Sequence, residues 1–138
     1  MSTQPIQILM AEDEENDVEF TRQAFKQARV LNALNVVSDG DEVFPYLQNP
    51  DKPTPDLILL DLNMPKMSGI EVLNKLKGHE EYKKIPVVIL TSSDSDSDVL
   101  KSYENHANCY VRKPIGYQQF GEIIAAIESF WLSVVVLP

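Results

Sequence analysis

The sequence has a single cysteine, Cys109, so an internal disulfide is excluded and the fold must rest on its own core. That residue reads as a small buried hydrophobe opening the apolar stretch before Lys113. Basic residues are scarce: twelve Lys and Arg stand against twenty-one Asp and Glu, for a formal net charge of −9. Nucleic-acid binding depends on neutralising phosphates with Lys and Arg, so this balance argues against it. An acidic surface attracts cations instead. No apolar run approaches membrane-spanning length, and Met1-Ser2-Thr3-Gln4-Pro5 offers neither a basic start nor an apolar signal core. No membrane role and a reducing cytoplasm are therefore expected. The two histidines, His79 and His106, lie in polar helix-end contexts and suggest no catalytic base. Glycine is also sparse, and Glu12-Asp13-Glu14-Glu15 follows the first apolar run. A flavin-binding protein would carry a loop rich in Ser, Thr and Gly there, whereas four acids repel a phosphate.

What is present is a chain of 138 residues, 43% hydrophobic and 24% charged, enough for one core and one domain over 1–138. Four short apolar runs each stop at a residue capable of chemistry. Ile8-Leu9-Met10-Ala11 ends in Glu12-Asp13, Leu57-Ile58-Leu59-Leu60 in Asp61, Val87-Val88-Ile89-Leu90 in Thr91, and Tyr110-Val111-Arg112 in Lys113. Continuous apolar runs separated by helical patterns read as buried parallel strands. A further short strand is expected at Asn35 to Ser38 and a short helix at Gly40 to Leu47. Val18, Thr21, Ala24, Phe25 and Ala28 recur at helical spacing in the first helix. Ser68-Gly69-Ile70-Glu71 reads as a capping box opening a third helix with Ile70, Leu73 and Leu76 inside. A weakly amphipathic fourth helix follows Ser95-Asp96-Ser97-Asp98, with only Val99, Leu100 and Tyr103 as its stripe. The fifth is clearer, with Phe120, Ile123, Ile124, Ile127, Phe130 and Trp131.

Five strand-helix alternations with right-handed crossovers predict an α/β fold: a doubly wound (βα)5 three-layer sandwich with parallel sheet order 2-1-3-4-5, as in flavodoxin. Ligands of such sheets bind outside the carboxyl ends of the strands, at the switch point between strands one and three. Asp13 and Asp61 should meet there, with Thr91 and Lys113 approaching the same edge. Carboxylates held this close repel unless a cation sits among them, and a hard ion with oxygen ligands, Mg²⁺ or Mn²⁺, fits. Taken singly, Thr91 reads as a strand end and Lys113 as a solvated lysine; their convergence with two aspartates suggests more. A phosphoryl group, which a divalent ion and an ammonium can stabilise, suits this set.

Glu12-Asp13, Asp61-Leu62-Asn63-Met64-Pro65 with Gly69, Leu90-Thr91-Ser92 and Arg112-Lys113-Pro114 together resemble the receiver domain of two-component response regulators, the CheY-like family. The resemblance covers nearly the whole chain, with the motifs in family order. It implies that Asp61 accepts a phosphoryl group from a histidine kinase. Asp13 would be a metal ligand, Glu12 would assist directly or through water, and the Asn63 backbone carbonyl would complete the set. Thr91 would bind the phosphoryl group, Lys113 would pair with its oxygens, and Tyr110 matches the aromatic switch position. The surface of helix four, strand five and helix five would then change. Such a protein is a phosphoacceptor rather than an enzyme, catalysing only its own phosphorylation and slow dephosphorylation.

A phosphohydrolase with an aspartate nucleophile carries a second aspartate two residues later as general acid. Asn63 stands at that position and cannot donate and recover a proton. Seven residues follow Trp131, with no helix-turn-helix or basic patch, so no output domain is expected. The Arg112-Lys113-Pro114-Ile115 motif, the proline-rich loop from Asn49 to Asp56 and the Phe130-Trp131-Leu132 ending resemble single-domain regulators that partner bacterial and cyanobacterial phytochrome kinases. One helical face cannot bury all of Phe130, Trp131 and Leu132, and an uncharged tail, Ser133 to Pro138, follows. A homodimer through helix four, strand five, helix five and this tail is expected.

Overall fold

The computed structural model describes residues 6–27, 32–91, 109–112 and 125–126. Five parallel strands form one sheet: β1 (Ile6–Ala11), β2 (Asn32–Val37), β3 (Leu57–Leu60), β4 (Val87–Thr91) and β5 (Cys109–Arg112). Their order is β2-β1-β3-β4-β5, the expected doubly wound arrangement. Three α-helices are described, α1 (Glu15–Lys26), α2 (Val43–Gln48) and α3 (Gly69–Lys77), with a 3₁₀ turn at Gly40–Glu42 leading into α2. The expected fourth helix and nearly all of the fifth lie outside the described residues, as does Lys113; Ala125 and Ala126 are helical and exposed. Among the described residues no helix is long and apolar enough to cross a membrane.

The central strands alternate two apolar sets because successive side chains face opposite sides of the sheet. Leu9, Ala11, Ile58, Leu60, Val87 and Ile89 pack with Val43, Val72, Leu73, Leu76 and Tyr82 on the side of α2 and α3. Ile8, Met10, Leu57, Leu59, Val88 and Leu90 pack with Phe25 of α1 on the other. Both faces are covered, which is why these strands read as unbroken apolar runs.

β2 begins three residues earlier than expected. Asn32-Ala33-Leu34 has little intrinsic strand preference, but six parallel pairs with β1, from Ile6 with Asn32 to Ala11 with Val37, hold it in the sheet. Side chains reinforce this register: Asn35 Nδ2 donates to Gln7 Oε1 at 3.3 Å, and Asn32 Nδ2 donates to the Phe25 carbonyl at 3.0 Å. The proline-rich loop delivers Asp56 to β3 with a two-way tie to β1. The Asp56 N–H donates to the Gln7 carbonyl at 2.7 Å, and Asp56 Oδ2 accepts from the Gln7 N–H at 2.9 Å.

In α3 the expected inner residues Leu73 and Leu76 are buried, and the face extends to Gly69 and Val72 more than to Ile70, which is only partly covered. Ser68 caps the helix as expected, its Oγ accepting from the Glu71 N–H at 3.3 Å.

Candidate functional site

The register brings the chemistry-bearing strand ends together. Ala11 pairs with Leu60 across β1 and β3, so the chain leaves both strands level with one another, into Glu12-Asp13 and Asp61. The Asp61 N–H donates to the Ala11 carbonyl at 3.1 Å, and the Glu12 N–H to the Val37 carbonyl at 3.0 Å. These bonds continue the sheet one residue past its strands and hold both carboxylates over the edge. Glu12, Asp13 and Asp61 each present an oxygen, all within 4.8 Å of one another. Glu12 and Asp61 are buried, at 2% and 6% exposure, while Asp13 is exposed. Ionised carboxylates at this spacing repel one another, with the repulsion screened where Asp13 reaches solvent. The chemistry of this all-oxygen donor set fits a hard divalent cation, which offsets that repulsion.

The segment after Asp61 is held from several sides. Leu62 and Met64 are buried in the core, at 4% and 7%, and Asn63 is exposed between them. The Asn63 N–H donates to Asp61 Oδ1 at 3.3 Å. The Gly69 N–H donates to the Leu62 carbonyl at 3.0 Å. A Cβ on Gly69 would run into the Asp61 carbonyl oxygen and lie 2.8 Å from Leu62 Cα, so the start of α3 can press this close only as glycine.

Thr91 ends β4 in register with Arg112, the last residue of β5. Leu60 pairs with Ile89, so Thr91 lies on the same sheet edge as Asp61, two positions further along its own strand. Tyr110 pairs with Ile89 and packs, partly buried, against the core on the α2 and α3 side. His79 stands apart. It follows the C-terminal end of α3, stacked on Tyr82 with ring centroids 4.4 Å apart, and its Nδ1 accepts from the Glu81 N–H at 3.1 Å. Its ring thus packs on Tyr82; His106 lies outside the described residues.

Sequence reasoning missed Asp39. In sequence, Ser38-Asp39-Gly40-Asp41 is an ordinary polar turn, and Asp-Gly signals only the turn itself. In the structure Asp39 is buried at 4% exposure and its carboxylate accepts from three backbone N–H groups. Burial alone would raise its pKa, but these three N–H groups, of Met67, Lys66 and Gly40, with the neighbouring N–H of Asp41 adding to them, outweigh that and hold it below the usual aspartate value.

A doubly wound sheet with an acidic cluster at its switch point defines an α/β protein with a candidate cation site at one sheet edge. Residues 8–128 match the response regulator receiver domain, and the chain belongs to that family. Response regulator Rcp1 of Synechocystis sp. is 40% identical over 141 residues, spanning 99% of this chain and 96% of that protein. The crystal structure of the Mn²⁺-bound form of response regulator Rcp1 superposes with a TM-score of 0.90, covering 97% of this chain and 99% of that one at 40% identity. The crystal structure of the phosphorylated cyanobacterial phytochrome response regulator RcpA superposes with a TM-score of 0.93 at 38% identity, covering 98% and 99%. The chain is thus a two-component receiver domain, and the narrower resemblance to phytochrome regulators is matched by these neighbours.

Proposed function

We propose that this receiver takes a phosphoryl group from a sensor histidine kinase onto the Asp61 carboxylate, with Mg²⁺ or Mn²⁺ bound by Asp13, Asp61, Glu12 and the Asn63 carbonyl. The observation that carries this reading is the three-carboxylate cluster at the ends of β1 and β3. When bound, the cation neutralises charge on the phosphoryl oxygens. Asp61 acts as the nucleophile: its oxygen bonds to phosphorus as the bond to the donor's leaving group breaks. Asp13 and Glu12 balance the charge of the loaded site. Thr91 binds the transferred phosphoryl group, and Lys113 pairs with its oxygens. With Asn63 where a hydrolase keeps a general acid, the phosphoryl group leaves slowly and the protein signals instead of turning over substrate.

A phosphoryl group adds roughly two negative charges and new acceptor oxygens at Asp61. Thr91 moves to meet them, and Tyr110 turns into the space it leaves. The surface formed by the fourth helix, β5 and the fifth helix changes in response, and that surface is the output. The states of the two cyanobacterial neighbours, one Mn²⁺-bound and one phosphorylated, support both halves of the reading and favour a phytochrome kinase as the donor. The protein works as a single receiver domain over 1–138 in the cytoplasm, pairing with a second copy.

Purified protein given Mg²⁺ and acetyl phosphate is expected to gain an acid-stable, base-labile phosphoryl group. Asp61→Asn abolishes the gain, because an amide is not a nucleophile here. Unchanged labelling of Asp61→Asn sinks the assignment.

A further inference from the structure

Asp39 stands outside the carboxylate cluster, at the end of β2, yet its carboxylate is spent on the segment that leaves Asp61. Oδ1 accepts from the Gly40 N–H at 2.7 Å and from the Met67 N–H at 2.9 Å. Oδ2 accepts from the Lys66 N–H at 3.1 Å. The bonds to Lys66 and Met67 span 27 and 28 residues of sequence. In the sheet order β1 lies between β2 and β3, so this tie joins the segments that follow the two strands flanking β1, the strand that leads into Glu12-Asp13. A second contact runs alongside it. A Cβ on Gly40 would collide with the Met67 carbonyl oxygen and lie 2.8 Å from Val72 Cγ2, so the two backbones touch there.

The segment 62–67 therefore has its course set at both ends. Near Asp61 it is held by β1 and by Gly69, and at residues 66 and 67 it is held by Asp39. Asn63 lies between these two anchors, flanked by the buried Leu62 and Met64. We propose that Asp39 is a positioning residue for the receiver site: acting through Lys66 and Met67, it sets where the Asn63 carbonyl and the Asp61 carboxylate stand relative to Asp13. This inference rests on the roles given above to Asp61 and Asn63. Groups bonded directly to metal ligands cost about 10- to 100-fold in metal affinity when removed. Asp39 acts through the chain three residues beyond Asn63, so a loss at the lower end of that range is expected.

Asp39→Asn is the sharp variant. Its amide oxygen can keep the bonds to Gly40 and Met67, but its NH₂ then faces the Lys66 N–H, donor against donor. Mn²⁺ titration is expected to give about tenfold weaker binding for Asp39→Asn and a larger loss for Asp39→Ala, both measured well below their melting temperatures. The rate of labelling by acetyl phosphate falls in the same order. A purely structural role would lower the melting temperature yet leave Mn²⁺ affinity of the folded protein unchanged, and that result overturns the proposal. The unmodified protein supplies an independent readout that does not depend on a variant folding. Because coupling is reciprocal, Mg²⁺ at saturation should slow amide exchange at Lys66 and Met67. Unaltered exchange there also overturns it. If the unmodified protein binds no Mn²⁺ and takes no phosphoryl group, it is the reading of Asp61 that fails, and the two failures are told apart.

Discussion

At the scale of single residues, Asp39 and Gly69 show how much the site depends on groups that do no chemistry. Asp39 is held below the usual aspartate pKa in the fold. Its contribution to stability is full above its unfolded value, about 4, and is lost as pH falls from there through the lowered folded value. Melting temperature followed against pH should fall on the acid side for the unmodified protein, and fall less steeply for Asp39→Asn, which has no such proton to take up. Parallel acid limbs would contradict this. Gly69 poses a contest of magnitudes. Gly to Ala at a helical position gains up to about 1 kcal/mol from propensity. Here the added Cβ meets the Asp61 carbonyl oxygen, and overpacking costs about 1 to 3 kcal/mol. Gly69→Ala is therefore expected to be net destabilising, and to weaken Mn²⁺ binding by displacing the chain beside Asp61. Urea denaturation with metal titration checks both; a stabilised variant would show that the helix propensity prevails.

At the scale of elements, α3 separates what pattern and packing each decide. The sequence pattern treats Ile70, Leu73 and Leu76 as equivalent. The structure buries Leu73 and Leu76 completely and leaves Ile70 at the margin of the core, with Val72 taking the inner position. At the start of this buried face Gly69 lies against the backbone of Asp61 and Leu62. Leu73→Ala should cost about 2 to 5 kcal/mol, the range for large-to-small changes in a closed core, and Ile70→Ala clearly less. Equal losses in urea denaturation would favour the simple pattern over the packing. The far end of α3 is anchored differently: Lys77 Nζ donates to the Ile85 carbonyl at 2.8 Å and to the Lys83 carbonyl at 3.2 Å. This one side chain ties the helix end to the turn that leads into β4.

At the scale of the whole molecule, the question is how a charge placed at one sheet edge reaches another protein. The candidate site lies at the ends of β1 and β3, and β4 and β5 carry the sheet onward to Tyr110. Self-association through the fourth helix, β5, the fifth helix and the tail would give that change an output. Sedimentation is expected to show a dimer at micromolar concentration, weakened by Trp131→Ala or by removing residues 133–138. A monomer at every concentration, with and without a phosphoryl donor, rules the dimer out.

The sequence by itself determined the strand order, the two-sided core and the convergence of Asp13 and Asp61. Each follows from local pattern: apolar runs of strand length, helical spacing between them, and acids where the runs stop. Topology rules then leave few ways to assemble five such units. Thr91 was likewise legible as the end of β4, because it stops an apolar run. Tertiary structure alone decided three things. The first three residues of β2 are strand because of their pairing with β1, since their own preferences are weak. The face of α3 was decided by packing, which buries Val72 with Leu73 and Leu76 and leaves Ile70 at the margin. Asp39 became part of the site's support because the fold buries it against N–H groups 27 and 28 residues away. Hydrogen bonds from a side chain to distant backbone leave no periodic trace in a sequence, and for that physical reason pattern alone could not find them.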